Sequence, residues 1–118
     1  MKDKIPYYAV IFTSTQTDDI EGYSEMAEKM ETLAKQQEGF IGIESARNTS
    51  TALSAGTGIT VSYWESLDAI KNWKANTEHL FAQQKGREQW YNWYNVKICK
   101  VEREYEFVKN QESHKQKL

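Results

Sequence analysis

The residue order predicts an α+β fold. It is a ferredoxin-like β-α-β-β-α-β arrangement with a four-stranded antiparallel sheet, forming a dimeric α+β barrel. Three observations carry this expectation. Tyr7 to Ser14 (YYAVIFTS) is an unbroken run of β-branched and aromatic residues, the pattern of a central strand buried on both faces. Tyr23, Met26, Ala27, Met30, Leu33 and Ala34 recur along one stripe at helical spacing. Phe40 to Arg47 and Gly58 to Trp64 are strand-like runs on either side of a polar turn region, Asn48 to Gly56. With both helices on one face, a doubly apolar first strand leaves the other face apolar, and such a face must be covered. A second copy, packed sheet on sheet about a two-fold axis, would cover it and close a barrel across two chains.

Each element follows from its local chemistry. Pro6 suits the start of a strand, where its missing N–H does no harm. The helix is expected from about Glu21 to Gln37, with Glu25, Glu28, Thr32 and Lys35 on its wet side and Gly39 as its breaker. In the third strand Ile59, Val61 and Tyr63 share one face, and Thr60, Ser62 and Trp64 the other. Ser66 is a good N-cap for the next helix, and Asp68 in its first turn suits the helix dipole. That helix is expected to break at Asn76-Thr77, with a second segment reaching about Gly86. The last strand is expected from Tyr91 or Asn92 to Phe107. Its apolar phase changes near Lys100, which predicts a bulge there. One domain over 1–109 and a polar tail over 110–118 complete the chain.

Composition narrows the function classes. The formal charge is −2, from 15 basic and 17 acidic residues that are interspersed, so no nucleic-acid footprint is expected. Cys99 is alone, which rules out an internal disulfide and points to a reducing, cytoplasmic setting. No apolar run suggests a signal peptide or a membrane span. No metal-ligand spacing is visible, so no metal site is expected. Aromatic residues make up 13% of a chain that is 39% hydrophobic, so rings carry much of its apolar area. Rings fill cores, but they also line pockets and dimer seams. All four tryptophans fall between Trp64 and Tyr94, the stretch expected to wall any pocket.

The run GITVSYWESLDAIKNW, then H-x-x-A-Q at His79 to Gln83, then G-R-x-x-W-Y at Gly86 to Tyr91, resembles the antibiotic biosynthesis monooxygenase family, as does GFIGIES at Gly39 to Ser45. The resemblance spans about residues 7–107. It implies a dimeric α+β barrel and oxygen chemistry. Some members oxidise aromatic molecules without metal, flavin or haem; others bind and degrade haem. The haem-degrading pattern needs an Asn in the first strand, a helix Trp and a later His. Here Trp73 resembles the Trp, but Tyr7 to Ser14 holds no Asn, Gln83 stands at the His position, and His79 comes about one turn early.

The expected function is therefore a cofactor-independent monooxygenase acting on a small aromatic or phenolic substrate as a homodimer. The alternatives are a haem-binding or haem-degrading monooxygenase and a non-catalytic dimeric small-molecule-binding or stress-associated domain. His79 is the candidate base, because an imidazole titrates near neutrality. Trp73 and Trp90 would line the pocket. Asn76 and Gln83 would donate to a substrate oxygen, Arg87 would hold an anionic group, and Tyr63 and Tyr94 would orient a phenol. Each has an ordinary structural use as well: core ring, helix cap or surface ion pair.

Overall fold

The computed structural model describes residues 5–48, 56–84 and 87–109, together with their side chains except those of 79–84, 87 and 88. The elements are β1 (Tyr7–Gln16), α1 (Tyr23–Lys35), β2 (Phe40–Arg47), β3 (Thr57–Trp64), α2 (Leu67–Gln84), α3 (Arg87–Trp90) and β4 (Tyr91–Val101). The strands form one sheet of order β2-β3-β1-β4, and all three pairings are antiparallel. The β-α-β-β-α-β order and the ferredoxin-like sheet are as expected from the sequence.

The barrel is not. The sheet is open: β2 and β4 are its two edges and do not pair with each other. Four strands twisted by roughly 20–25° per step do not bring their outer edges together, whereas a closed barrel needs about twice as many strands. The expected closure is thus corrected to an open, four-stranded sheet.

β1 is central because both of its faces are apolar, and Tyr7, Ala9 and Val10 are buried. Its even-numbered residues face the helices. Val10 packs with Trp64, Ala34, Ala69 and Ile70 in the core, with Tyr8, Phe40 and Trp73 against it. α1 is shorter than expected at both ends. Gly22 takes a left-handed φ of 83° and sits outside the helix, and the far end is closed by the Gln36 N–H on the Thr32 and Leu33 carbonyls and the Gln37 N–H on the Ala34 carbonyl.

Two element boundaries are also corrected. α2 runs without a break through Asn76-Thr77. Thr77 does not cap a new helix; its hydroxyl donates to the Lys74 carbonyl one turn back, at 2.9 Å, a bond that lets Thr sit inside a helix. β4 stops at Val101, not Phe107, because Val101 pairs with Tyr7, the first residue of β1. Pro6 before it has no N–H to extend the ladder. The irregularity in this pairing lies at Thr15/Gln16, not near Lys100. The change of apolar phase after Lys100 marks the chain leaving the sheet. Most of the turn at 48–56, the helix end at Gly86 and the tail at 110–118 lie outside the described residues.

Candidate functional site

Two groups of rings share the helix-facing side of the sheet. The first is anchored by Trp64, fully buried and bonded through its indole N–H to the Ser62 hydroxyl at 2.8 Å. Trp73 of α2 stacks on it at 5.0 Å, and Phe40 meets it edge-on at 5.5 Å. The Trp73 indole N–H is buried without a hydrogen-bond partner.

The second group gathers around β1 and the start of β4. Phe12 lies 5.5 Å from Tyr91 and 5.4 Å from Tyr94, and these two tyrosines are 5.7 Å apart. Tyr23, at the start of α1, meets Tyr91 at 5.9 Å and Trp90 at 5.8 Å, both edge-on. Trp90 is buried, and its indole N–H donates to the Glu21 carbonyl at 2.8 Å, so it forms the end wall. Tyr94, Val96 and Ile98, which follow one another on the helix-facing side of β4, remain exposed and form an open apolar floor.

Arg47 reaches this second group. Its guanidinium donates to the Ser14 hydroxyl at 3.1 Å and the Tyr23 hydroxyl at 3.3 Å, and it lies 5.5 Å from the Tyr23 ring centroid. Burial and the hydrogen bond with Tyr23 push the Tyr91 hydroxyl far above the usual tyrosine range, although the Arg47 charge opposes the shift. Tyr91 is therefore a neutral donor at any pH near neutrality, not a base.

The sequence-derived candidates divide as follows. Trp73, Trp90 and Tyr94 all stand on the helix-facing side, Trp73 in the first ring group and the other two in the second. Asn76 is exposed and donates to the Gln37 side-chain carbonyl at 3.2 Å, tying α2 to the end of α1. Tyr63 lies on the opposite face, edge-on to Tyr7 at 5.9 Å and bonded to Glu44 at 2.8 Å. The side chains of His79, Gln83 and Arg87 lie outside the described residues. Because α2 is continuous, positions 76, 79 and 83 follow one another along one stripe of it. Phe12, Ser14, Tyr23, Arg47 and Tyr91 were not singled out in the sequence. The available signal was parity: Arg47 and Ser14 both pair with Gly58 across the sheet and so share its helix side. Two open depressions, of about 630 and 270 Å³, run along α1; neither is lined by Arg47, Tyr91 or Tyr94.

Residues 6–85 match the antibiotic biosynthesis monooxygenase family. The chain belongs to that family. It is 50% identical over 105 residues to the uncharacterized protein YqjZ of Bacillus subtilis, covering 89% of this chain and 88% of that protein. Among solved structures it is similar to PA3566 from Pseudomonas aeruginosa, with a TM-score of 0.60 and 19% identity over 85% of this chain and 96% of the other. It is also similar to SnoaB from Streptomyces nogalater, described as a cofactor-independent oxygenase. There the TM-score is 0.59 and the identity 11%, over 90% of this chain and 99% of the other. At these identities the two structures speak for the fold.

Haem, which some family members bind, fits the described residues poorly. β1 contains no Asn, and one face of Trp73 is already taken by Trp64. Cys99 pairs with Ala9 on the sheet face away from the helices and from both ring groups. Among the described residues no group of three or more His, Cys, Asp or Glu could hold a metal ion. Nor is any described helix long and apolar enough to cross a membrane.

Proposed function

We propose that this chain is a cofactor-independent monooxygenase that oxidises a small aromatic, phenolic substrate with O2, and that it works as a homodimer. The observation that carries the reading is the second ring group. It offers an apolar floor for a flat ligand and, at one end, a set of neutral hydroxyl donors beside a guanidinium. Family membership and the likeness to SnoaB support the same chemistry.

In this reading the substrate lies on Phe12, Tyr94 and Val96. A base takes its phenolic proton, and His79, on the stripe of α2 that also carries Asn76 and Gln83, is assigned that part. The phenolate then gives electrons directly to O2. One oxygen atom becomes a ring carbonyl para to the phenol and the other leaves as water, so the substrate supplies all four electrons. The hydroxyl and guanidinium donors at one end of the group are assigned to the developing oxyanion. Trp73, Gln83, Arg87 and Trp90 are assigned to pocket walls and polar contacts around the same ligand. Tyr63, on the other face, would touch only a ligand or partner approaching from that side.

The test is oxygen uptake with a panel of phenols and quinols. One or more should be consumed with an equal amount of O2 and no added cofactor. His79→Ala should lower kcat at least a hundredfold with the fold intact, in line with the roughly 10²–10⁴ contributed by a general base. Unchanged turnover would remove His79 from the mechanism, and no uptake with any member of the panel would remove the reaction.

A further inference from the structure

We infer that Arg47 is the anion-holding group of this site and that its ligand is a flat aromatic molecule bearing a carboxylate. The inference rests on the substrate position proposed above and narrows its chemistry. Arg47 is the last residue of β2, an edge strand, yet its guanidinium works two strands away. Arg47, Gly58, Ser14 and Tyr94 form one row across the sheet, in the order β2, β3, β1, β4. The Arg47 side chain lies along that row. It can do so because residue 58 is glycine: a Cβ there would fall within the guanidinium. The head is then held from three sides, by the Ser14 hydroxyl, the Tyr23 hydroxyl and the Gly56 carbonyl, the last at 3.5 Å.

All of these partners are neutral. They fix the geometry of the cation and leave its charge uncompensated. Among the described residues Arg47 meets no carboxylate, and residues 49–55, between β2 and β3, contain no Asp or Glu. Its Nε–H and one Nη1–H are left for a ligand, enough for a single charge-assisted bond to a carboxylate oxygen. From that point the floor of Tyr94, Val96 and Ile98 extends along β4 for about 13 Å at ~3.3 Å per residue. Tyr94 is 38%, Val96 49% and Ile98 52% exposed. A charged head followed by an open apolar floor selects an amphipathic ligand with an anionic end and a ring system of about two fused rings.

The probes are 2-naphthoate and its neutral isostere 2-naphthamide, titrated by calorimetry into the full chain. The wild type should bind the carboxylate about tenfold more tightly, the scale of one partly exposed charge-assisted bond. Added salt should reduce this preference. Arg47→Gln should abolish it by weakening naphthoate binding far more than naphthamide binding. Gly58→Ala should weaken it without unfolding the chain, because the new Cβ meets only the end of a flexible side chain. Equal wild-type affinities, no naphthoate binding, or a preference that survives Arg47→Gln would each overturn the assignment. If Arg47→Gln does not fold, the wild-type preference and its salt dependence decide. Carboxylate preference without oxygen uptake on any substrate would sink the oxidation and leave Arg47 as the anion site. Oxygen uptake that is indifferent to Arg47→Gln would do the reverse.

Discussion

Ser62 is buried to 2% exposure in the middle of β3, a position where an aliphatic residue would be ordinary. Its hydroxyl accepts the Trp64 indole N–H at 2.8 Å, and Trp64 is the largest fully buried side chain. Removing that oxygen strands a buried donor. Ser62→Ala should therefore cost about 1–3 kcal/mol in urea unfolding, the range for leaving one buried polar group unmade. A loss below about 0.5 kcal/mol would mean that the indole finds another acceptor. The tyrosines on the opposite face make a second residue-scale prediction. Burial, then the carboxylate of Glu104, pushes Tyr7 up to about 12; burial, then Glu44, does the same to Tyr63. In the unfolded chain both titrate near 10. The folded state thus favours the protonated phenols. Their contribution is fully present below pH 10 and is lost as pH rises through about 12. Urea midpoints of the wild type should fall across that window, and those of a Tyr7→Phe/Tyr63→Phe variant should fall less. Parallel curves would show that the two phenols are not coupled to folding. At this scale the sequence was legible in part. The clustering of rings in WYNWY pointed to a wall, and Trp90, Tyr91 and Tyr94 each join the second ring group. Arg47 was not legible, because its position depends on Gly58 lying opposite it, a pairing fixed only when the two strands find their register.

At the scale of elements, β1, β2, β3 and α1 could be read because each carries a strong local pattern. The errors came where a hydrogen-bond partner decides, one turn back in α2 and across the sheet in β4. α2 continues through Thr77 because its hydroxyl finds a carbonyl inside the helix, and β4 ends where β1 has nothing more to pair. The join between α1 and β2 is decided in the same way. Gly39 has a φ of 89°, and its carbonyl accepts the Glu65 N–H at 2.8 Å, tying the start of β2 to the end of β3. A Cβ on residue 39 would also lie 2.7 Å from the Ala69 Cβ in the first turn of α2. Two penalties therefore act at one position. The left-handed backbone costs about 1–2 kcal/mol for a residue with a Cβ, and the overlap in the core adds about 1–3 kcal/mol. Gly39→Ala should lower stability by about 2–5 kcal/mol. Gly39→Asn separates the two causes, because Asn tolerates the backbone but still carries the Cβ. It should keep only the overlap cost of about 1–3 kcal/mol and so melt between Ala and the wild type. Recovery to near wild type with Asn would show that α2 can move away and that only the backbone mattered.

For the whole molecule, apolar surface is also exposed in two places besides the floor of β4. On the face away from the helices Ile59 is 46% and Trp93 52% exposed. Beyond β4 the chain carries Tyr105 at 81% and Phe107 at 66% exposure, with Val108 beside them. Glu104 bonds the Tyr7 hydroxyl at 2.7 Å and so fixes where this segment leaves the sheet. Contiguous exposed rings of this kind mark an interaction surface, and a second copy of the chain is the partner already proposed. Light scattering on the purified protein should give twice the chain mass of 13.8 kDa. Tyr105→Ser/Phe107→Ser should shift it toward the monomer, because the two rings are the largest apolar groups that this segment offers a partner. The second ring group is built from β1, α1 and the start of β4, so the double variant should keep 2-naphthoate binding even as a monomer. A wild type that runs as a monomer at all concentrations would sink the homodimer. A dimer indifferent to both substitutions would move the interface from this segment to the face carrying Ile59 and Trp93. Binding lost together with the dimer would mean that a residue from the partner completes the site.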